Sequence, residues 1–294
     1  MKKSNIIIRA VFCLLCISAM SYIPTSFATQ SASKQTQVST SAKKILQINV
    51  PSSSMNKIVP TVVVLPDSYF TDTQKRFPVM YLLHGHGGNQ MSWVRIRPDI
   101  QKLASSLNMI VVCPDGNKSS WYWDSPMDSK SRYETFVSKE LIDYIDSNYR
   151  TKASRNDRAI TGLSMGGHGG LFLGIRHQDI FGACGSMSGG VDIRPFPRNW
   201  GMAAHLGDMA TNPDNWERLT VMNQLHLLKP NSIRIAFECG VDDFFYEINE
   251  RLHRELLYRN IPHDYTVRPG KHNSPYWNNA LPYQMWFFST GFSK

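Results

Sequence analysis

The sequence predicts an α/β fold: a mainly parallel sheet of eight strands with helices on both faces. Three observations predict it. Phe77–Leu83 is a continuous apolar run bounded by turn residues, as expected of a strand buried on both faces. Further short apolar runs follow at Met109–Cys113, Ala159–Gly162, Ala183–Met187, Ile233–Cys239 and Tyr265–Val267, with helical stretches between most of them. Tyr133–Tyr149 is the clearest of those stretches, because Phe136, Val137, Leu141, Ile145 and Tyr149 recur at helical spacing. A chain of 294 residues, 42% of them hydrophobic, can bury a sizeable core and suits one large α/β domain.

Taken in order, residues 1–28 have the form of a secretory signal. Lys2, Lys3 and Arg9 form a basic start, Ala10–Ile23 is apolar, and Ser26-Phe27-Ala28 is a small-x-small site, so cleavage is expected after Ala28. The apolar run is too short and too early for a spanning helix, and no later stretch approaches the roughly 20 apolar residues a bilayer requires. Neither Cys13 nor Cys16 follows the small residues of a lipoprotein site. Residues 29–43, rich in Ser, Thr, Gln and Lys, have almost nothing to bury and are expected to form a flexible leader. A single domain is expected over 44–294. It starts with a hairpin, Ile45–Val50 and Lys57–Leu65, joined by the Ser52-Ser53-Ser54 turn, and Pro60 puts the second strand near a sheet edge. Ile248, Leu252 and Leu256 mark a helix between Tyr246 and Arg259. The net charge of +9 becomes +6 once Lys2, Lys3 and Arg9 leave with the signal, and the basic residues are scattered. That excludes a nucleic-acid arm and points to a solvated surface. Cys113, Cys184 and Cys239 remain after processing, each within or at the end of an apolar run, and are expected as buried free thiols.

The chemistry concentrates in Arg158–Gly170. Here a short apolar run breaks at Gly162-Leu-Ser164-Met-Gly166 and resumes as a helix over about Gly167–Arg176. This G-x-S-x-G pattern is that of a nucleophile elbow, in which glycines let strand and helix close around a serine held in strained geometry. The helix start would face any negative charge developing beside Ser164. A Gly-rich turn with an ordinary surface serine is the bland alternative. In parallel sheets, ligands sit at the carboxyl ends of the strands, so the partners should follow strand ends. The third strand runs into His84-Gly85-His86-Gly87-Gly88-Asn89, a turn that can present a backbone N–H to the nucleophile beside the N–H of Met165. His84-x-His86 also resembles half of a metal site, but no further His/Asp/Glu set has matching spacing. The seventh strand ends in Asp242-Asp243, and the eighth is followed by Pro269-Gly270-Lys271-His272. Ser164, an aspartate at 242 or 243, and His272 stand in the order nucleophile, acid, base that a triad on this architecture needs. Taken singly, the aspartates could be helix caps and His272 a loop residue.

These residues resemble the esterase D-like branch of the α/β-hydrolase fold. That branch includes feruloyl and acetylxylan esterases of carbohydrate esterase family 1, S-formylglutathione hydrolases and mycolyltransferases. Tyr81–Gly88, Ser120–Pro126, Tyr133–Arg150, Gly162–Gly167 and Cys239–His272 carry the resemblance. It implies Ser164 as nucleophile, His272 as base, backbone donors from His86 and Met165, and Asp243 rather than Asp242 as the acid, because the acid precedes an apolar pair like Phe244-Phe245. It also implies a serine carboxylic-ester hydrolase acting through an acyl-enzyme without metal or organic cofactor. Export argues against an intracellular glutathione thioester; an acyl ester of a carbohydrate, of feruloyl or acetyl type, fits better, carried on a small molecule or on a polysaccharide. Trp121, Tyr122 and Trp123 could stack on a sugar or an aromatic acyl group, or simply pack. The stretch 191–229, poor in strand signals, is a candidate cap over the site or a docking surface. The expected protein is therefore a periplasmic or extracellular esterase with no nucleic-acid partner and no membrane insertion after signal removal. The alternatives are an acyltransferase on the same fold and a carbohydrate-binding relative without chemistry.

Overall fold

The computed structural model describes residues 43–293; the expected signal segment, and the leader apart from Lys43, lie outside the described residues. The strands are β1 Ile45–Ser52, β2 Lys57–Val64, β3 Val79–Leu83, β4 Ile110–Pro114, β5 Arg158–Gly162, β6 Ala183–Met187, β7 Arg234–Gly240 and β8 Asp264–Arg268. They form one sheet in the order β1-β2-β4-β3-β5-β6-β7-β8. β1–β2 and β2–β4 pair antiparallel, and every later pair is parallel. The expected hairpin opens the sheet, with β1 outermost. Pro60 brings no N–H to the ladder, and it sits just outside the β2–β4 register, which begins at Thr61; its carbonyl accepts a bond from Asp115 N–H at 2.9 Å.

Both faces of the sheet are covered, and β3 shows how one strand serves both. Val79, Tyr81 and Leu83 point into a core that also contains Phe136, Leu141, Phe172 and Leu252, while Met80 and Leu82 point into a second core with Ile100, Leu281 and Phe288. Strict alternation of buried side chains is what a strand sandwiched between helix layers requires. The first face is covered by helices Leu141–Asn148, Met165–Arg176 and Tyr246–Tyr258, the second by Ile100–Ser106 and Ser274–Ser289.

The helix expected over Tyr133–Tyr149 forms through Asn148 and contains one wide, π-type turn at Phe136–Glu140; Tyr149 is already extended. Sequence periodicity missed the last helix, Ser274–Ser289, because Pro275, Pro282 and two asparagines blur its pattern. Tertiary packing holds it, with Asn273 accepting the Tyr276 N–H at 3.2 Å at its start. The 191–229 stretch folds as short helical turns, Met202–Leu206, Pro213–Arg218 and Val221–Leu227, tied down by buried Trp216, whose indole N–H donates to the Gly207 carbonyl at 3.0 Å. Cys113, Cys184 and Cys239 are buried free thiols. Among the described residues, no helix is long and apolar enough to cross a membrane. Because β3, β5, β6, β7 and β8 all run the same way, their carboxyl ends share one edge of the sheet, with Leu83 beside Gly162 and Gly240 beside Arg268.

Candidate active site

Ser164 sits where β5 turns sharply into helix Met165–Arg176, with φ 56° and ψ −117°. That region of backbone space costs a non-glycine residue about 1–3 kcal/mol, so the surroundings must enforce it. They do so through close packing. A β-carbon at Gly162 would lie 2.5 Å from the Leu83 carbonyl, and one at Gly166 would collide with the Leu83 and His84 carbonyls, so only glycine lets the turn close. Ser164 N–H donates to Met187 O at 2.9 Å, fixing the residue to the end of β6.

The turn after β8 brings in His272. Its Nε2 lies 2.9 Å from Ser164 Oγ, and its Nδ1 lies 3.0 and 2.9 Å from the two carboxylate oxygens of Asp243. With Nδ1–H donated to Asp243, Nε2 is left as the acceptor for the serine hydroxyl. The Asp243 side chain is wholly buried and also accepts the Phe245 N–H at 2.9 Å, whereas Asp242 is exposed and makes no hydrogen bond to His272. Two backbone bonds hold the acid and base loops in register: Val241 N–H to Arg268 O at 3.0 Å and Asp242 N–H to Gly270 O at 2.9 Å. Phe244 and Trp277 wedge the imidazole, with ring centroids 4.2 and 5.0 Å away.

The loop after β3 closes the other side. His84 is buried and fully employed: its Nδ1–H donates to Gly85 O at 2.8 Å, and its Nε2 accepts the Gly116 N–H at 2.7 Å. That pairing removes the two-histidine metal reading, because both ring nitrogens of His84 are taken up in anchoring the loop. Tyr122 O–H donates to the His84 carbonyl at 3.1 Å, and Gly87 N–H to the Lys118 carbonyl at 2.8 Å. Thus pinned, Gly85 lies against Ser164. The N–H groups of His86 and Met165 have no protein acceptor among the described residues. Two free amides, one on a residue that lines the cleft with Ser164 and one at the helix N-terminus directly after it, suit a developing oxyanion.

Trp121 and Trp123 need correcting. They are 1% and 0% exposed, stacked on each other at 5.7 Å, with His168 edge-on to both. Trp121 and Tyr122 have positive φ, 52° and 62°, and the burial of both tryptophans against His168 of the serine helix leaves neither a ring face for a ligand. The aromatic walls of the cleft, about 440 Å³ in volume, are instead Trp200, Phe244 and Trp277. Trp200 comes from the 191–229 stretch and stacks on Phe244 at 5.8 Å, so that stretch does reach the site. Phe244 could have been found from its place directly after the acid. Trp277 could not, because the helix that carries it has no clear sequence signal.

The chain matches the model of the family described as "Putative esterase" over residues 52–288. An esterase of Mycobacterium tuberculosis is 34% identical over 152 residues, covering 51% of this chain and 32% of that protein, so the match spans about a third of that relative. An acetyl esterase of Caldicellulosiruptor saccharolyticus is 27% identical over 255 residues, covering 81% of this chain and 95% of that one. Among solved structures, a ferulic acid esterase superposes with a TM-score of 0.71 at 29% identity, covering 85% of this chain and 99% of the other.

Proposed function

The chain belongs to the Esterase family, and from that premise we propose that it is an exported serine esterase cleaving acyl esters of carbohydrates through an acyl-enzyme. The observation that carries this reading is the unbroken relay from Asp243 through His272 to Ser164, 2.9 Å at each link, opening onto the cleft. In the proposed reaction, Ser164 Oγ attacks the ester carbonyl while its proton passes to His272 Nε2. Asp243 holds the opposite N–H and stabilises the imidazolium. The oxygen that gains charge lies between the N–H groups of His86 and Met165. His272 returns the proton to the departing alcohol, and a water activated by the same imidazole then releases the acid. Every step uses side chains and amides of this chain.

The three aromatic walls favour a planar or bulky acyl group, feruloyl before acetyl, and relatives named for both acids match this chain. Export rests on the pattern of residues 1–28. The test is hydrolysis of matched acetyl, butyryl and feruloyl esters by the chain from residue 29 and by its Ser164→Ala variant. Cleavage of one class that vanishes in the variant supports the reading, and the preferred acyl group names the substrate. Turnover that survives in the variant would remove Ser164 from the mechanism.

A further inference from the structure

Three histidines lie on the loops that follow β3 and β8, and two are fully occupied. His84 spends both ring nitrogens on the loop, and His272 spends both on Ser164 and Asp243. His86 differs. It lines the cleft, is half-buried, and its ring makes no hydrogen bond among the described residues. Burial, with Lys118 nearby, lowers its pKa below the ordinary imidazole value and so favours the neutral ring. Ile96, Leu163, Trp200 and Phe244 supply apolar lining, and the Trp277 indole N–H is buried without a partner among the described residues.

We propose that the His86 side chain, separately from its backbone N–H, is a specificity-determining group that hydrogen-bonds a hydroxyl of the ester substrate. A neutral imidazole presents either its N–H or its bare nitrogen to the cleft, and a hydroxyl can pair with whichever it is, as acceptor or as donor. An ether or carbonyl oxygen can pair only with the N–H. A half-buried polar ring left without a partner when the cleft fills loses its water and gains nothing, so a substrate lacking the hydroxyl is penalised. The hydroxyl belongs either to the acyl group, as a phenol, or to the alcohol, as a sugar ring. This assignment rests on the esterase reading for its substrate class.

Two matched pairs of esters separate the sources: methyl esters of 4-hydroxy-3-methoxycinnamic and 3,4-dimethoxycinnamic acid, and acetyl esters of a pyranose and of cyclohexanol. For wild type, His86→Leu and His86→Asn, the readout is the ratio of kcat/KM within each pair. The same ratio is read as Kd by calorimetry in the Ser164→Ala background. All variants keep a backbone N–H at position 86, so a change in ratio reports the side chain. The expected result is a preference of about tenfold for the hydroxylated member of one pair, lost in His86→Leu and largely restored in His86→Asn; the responding pair identifies the source. Ratios unaltered by His86→Leu in both pairs would overturn the proposal while leaving the esterase reading intact. Binding ratios that depend on His86, in a protein that turns over no ester, would keep the hydroxyl contact and overturn the esterase reading, and with it the assignment of that hydroxyl to an ester substrate. Loss of both would overturn both.

Discussion

At the scale of single residues, the site depends on which atom holds which proton. Asp243→Asn keeps the shape but can turn an amide N–H towards His272 Nδ1, favouring the tautomer that cannot accept from Ser164. The expected loss in kcat is about 10³–10⁴-fold. Its neighbour Asp242, exposed and unconnected to the imidazole, is expected to tolerate the same change within about twofold, so parallel kinetics of the two variants check the assignment of the acid. A second residue-scale prediction concerns His168, wholly buried against Trp121, Trp123 and Phe172, with Nδ1 3.2 Å from the Gly190 carbonyl. Burial lowers its pKa to about 3, with the Gly190 bond opposing. The unfolded chain binds that proton near pH 6.5 and the folded chain does not, so this contribution to stability is complete above 6.5 and is lost as pH falls towards 3. The slope is at most about 1.4 kcal/mol per pH unit. Denaturant titrations between pH 4 and 7 should show that slope in the wild type and a shallower one in His168→Phe.

At the scale of elements, the strand-turn-helix around Ser164 and the 191–229 stretch carry different loads. Gly166→Ala places a methyl group against the Leu83 and His84 carbonyls, which are backbone and cannot swing aside. The turn must open, at about 1–3 kcal/mol by the cost of overpacking. Because the same movement displaces Ser164 from His272, kcat should fall more than tenfold even where the variant remains folded, as seen by circular dichroism. Trp200 tests the other element. It reaches the cleft from 191–229 and stacks on Phe244, so Trp200→Ala should raise KM for a feruloyl ester about tenfold while altering KM for an acetyl ester less than threefold. Equal effects on both esters would make this stretch a support for the fold and not a wall of the acyl site.

At the scale of the whole molecule, the two cores predict thiol behaviour. Cys113, Cys184 and Cys239 are buried, and burial raises each thiol pKa well above its ordinary value. A thiol reagent should therefore leave the native chain from residue 29 unmodified and label three groups on unfolding, with no change in Tm on adding reductant. Much of this architecture was legible in the sequence, and the reason is physical. Strands buried on both faces must be short apolar runs, and a serine presented from a parallel sheet needs glycines at 162 and 166. A triad on such a sheet must also follow strand ends, which is how Ser164 and His272 stand out without coordinates. The choice of Asp243 over Asp242 needed the resemblance, and burial then separated them. What stayed hidden depends on contacts between distant segments. Three clustered aromatics at 121–123 are equally suited to a ligand or a core, and only packing against His168 of the serine helix shows that the two tryptophans belong to the core. The helix of Ser274–Ser289 is held by packing against the second core, so no local periodicity announced it. Trp200, Phe244 and Trp277 come from three separate stretches, and only the folded chain makes them walls of one cleft. Local chemistry and periodicity are written along the chain, so the sequence by itself determined the sheet, the elbow and the order of reactive groups. Which side chains face the substrate is a property of distances between remote residues, and the tertiary structure alone decided it.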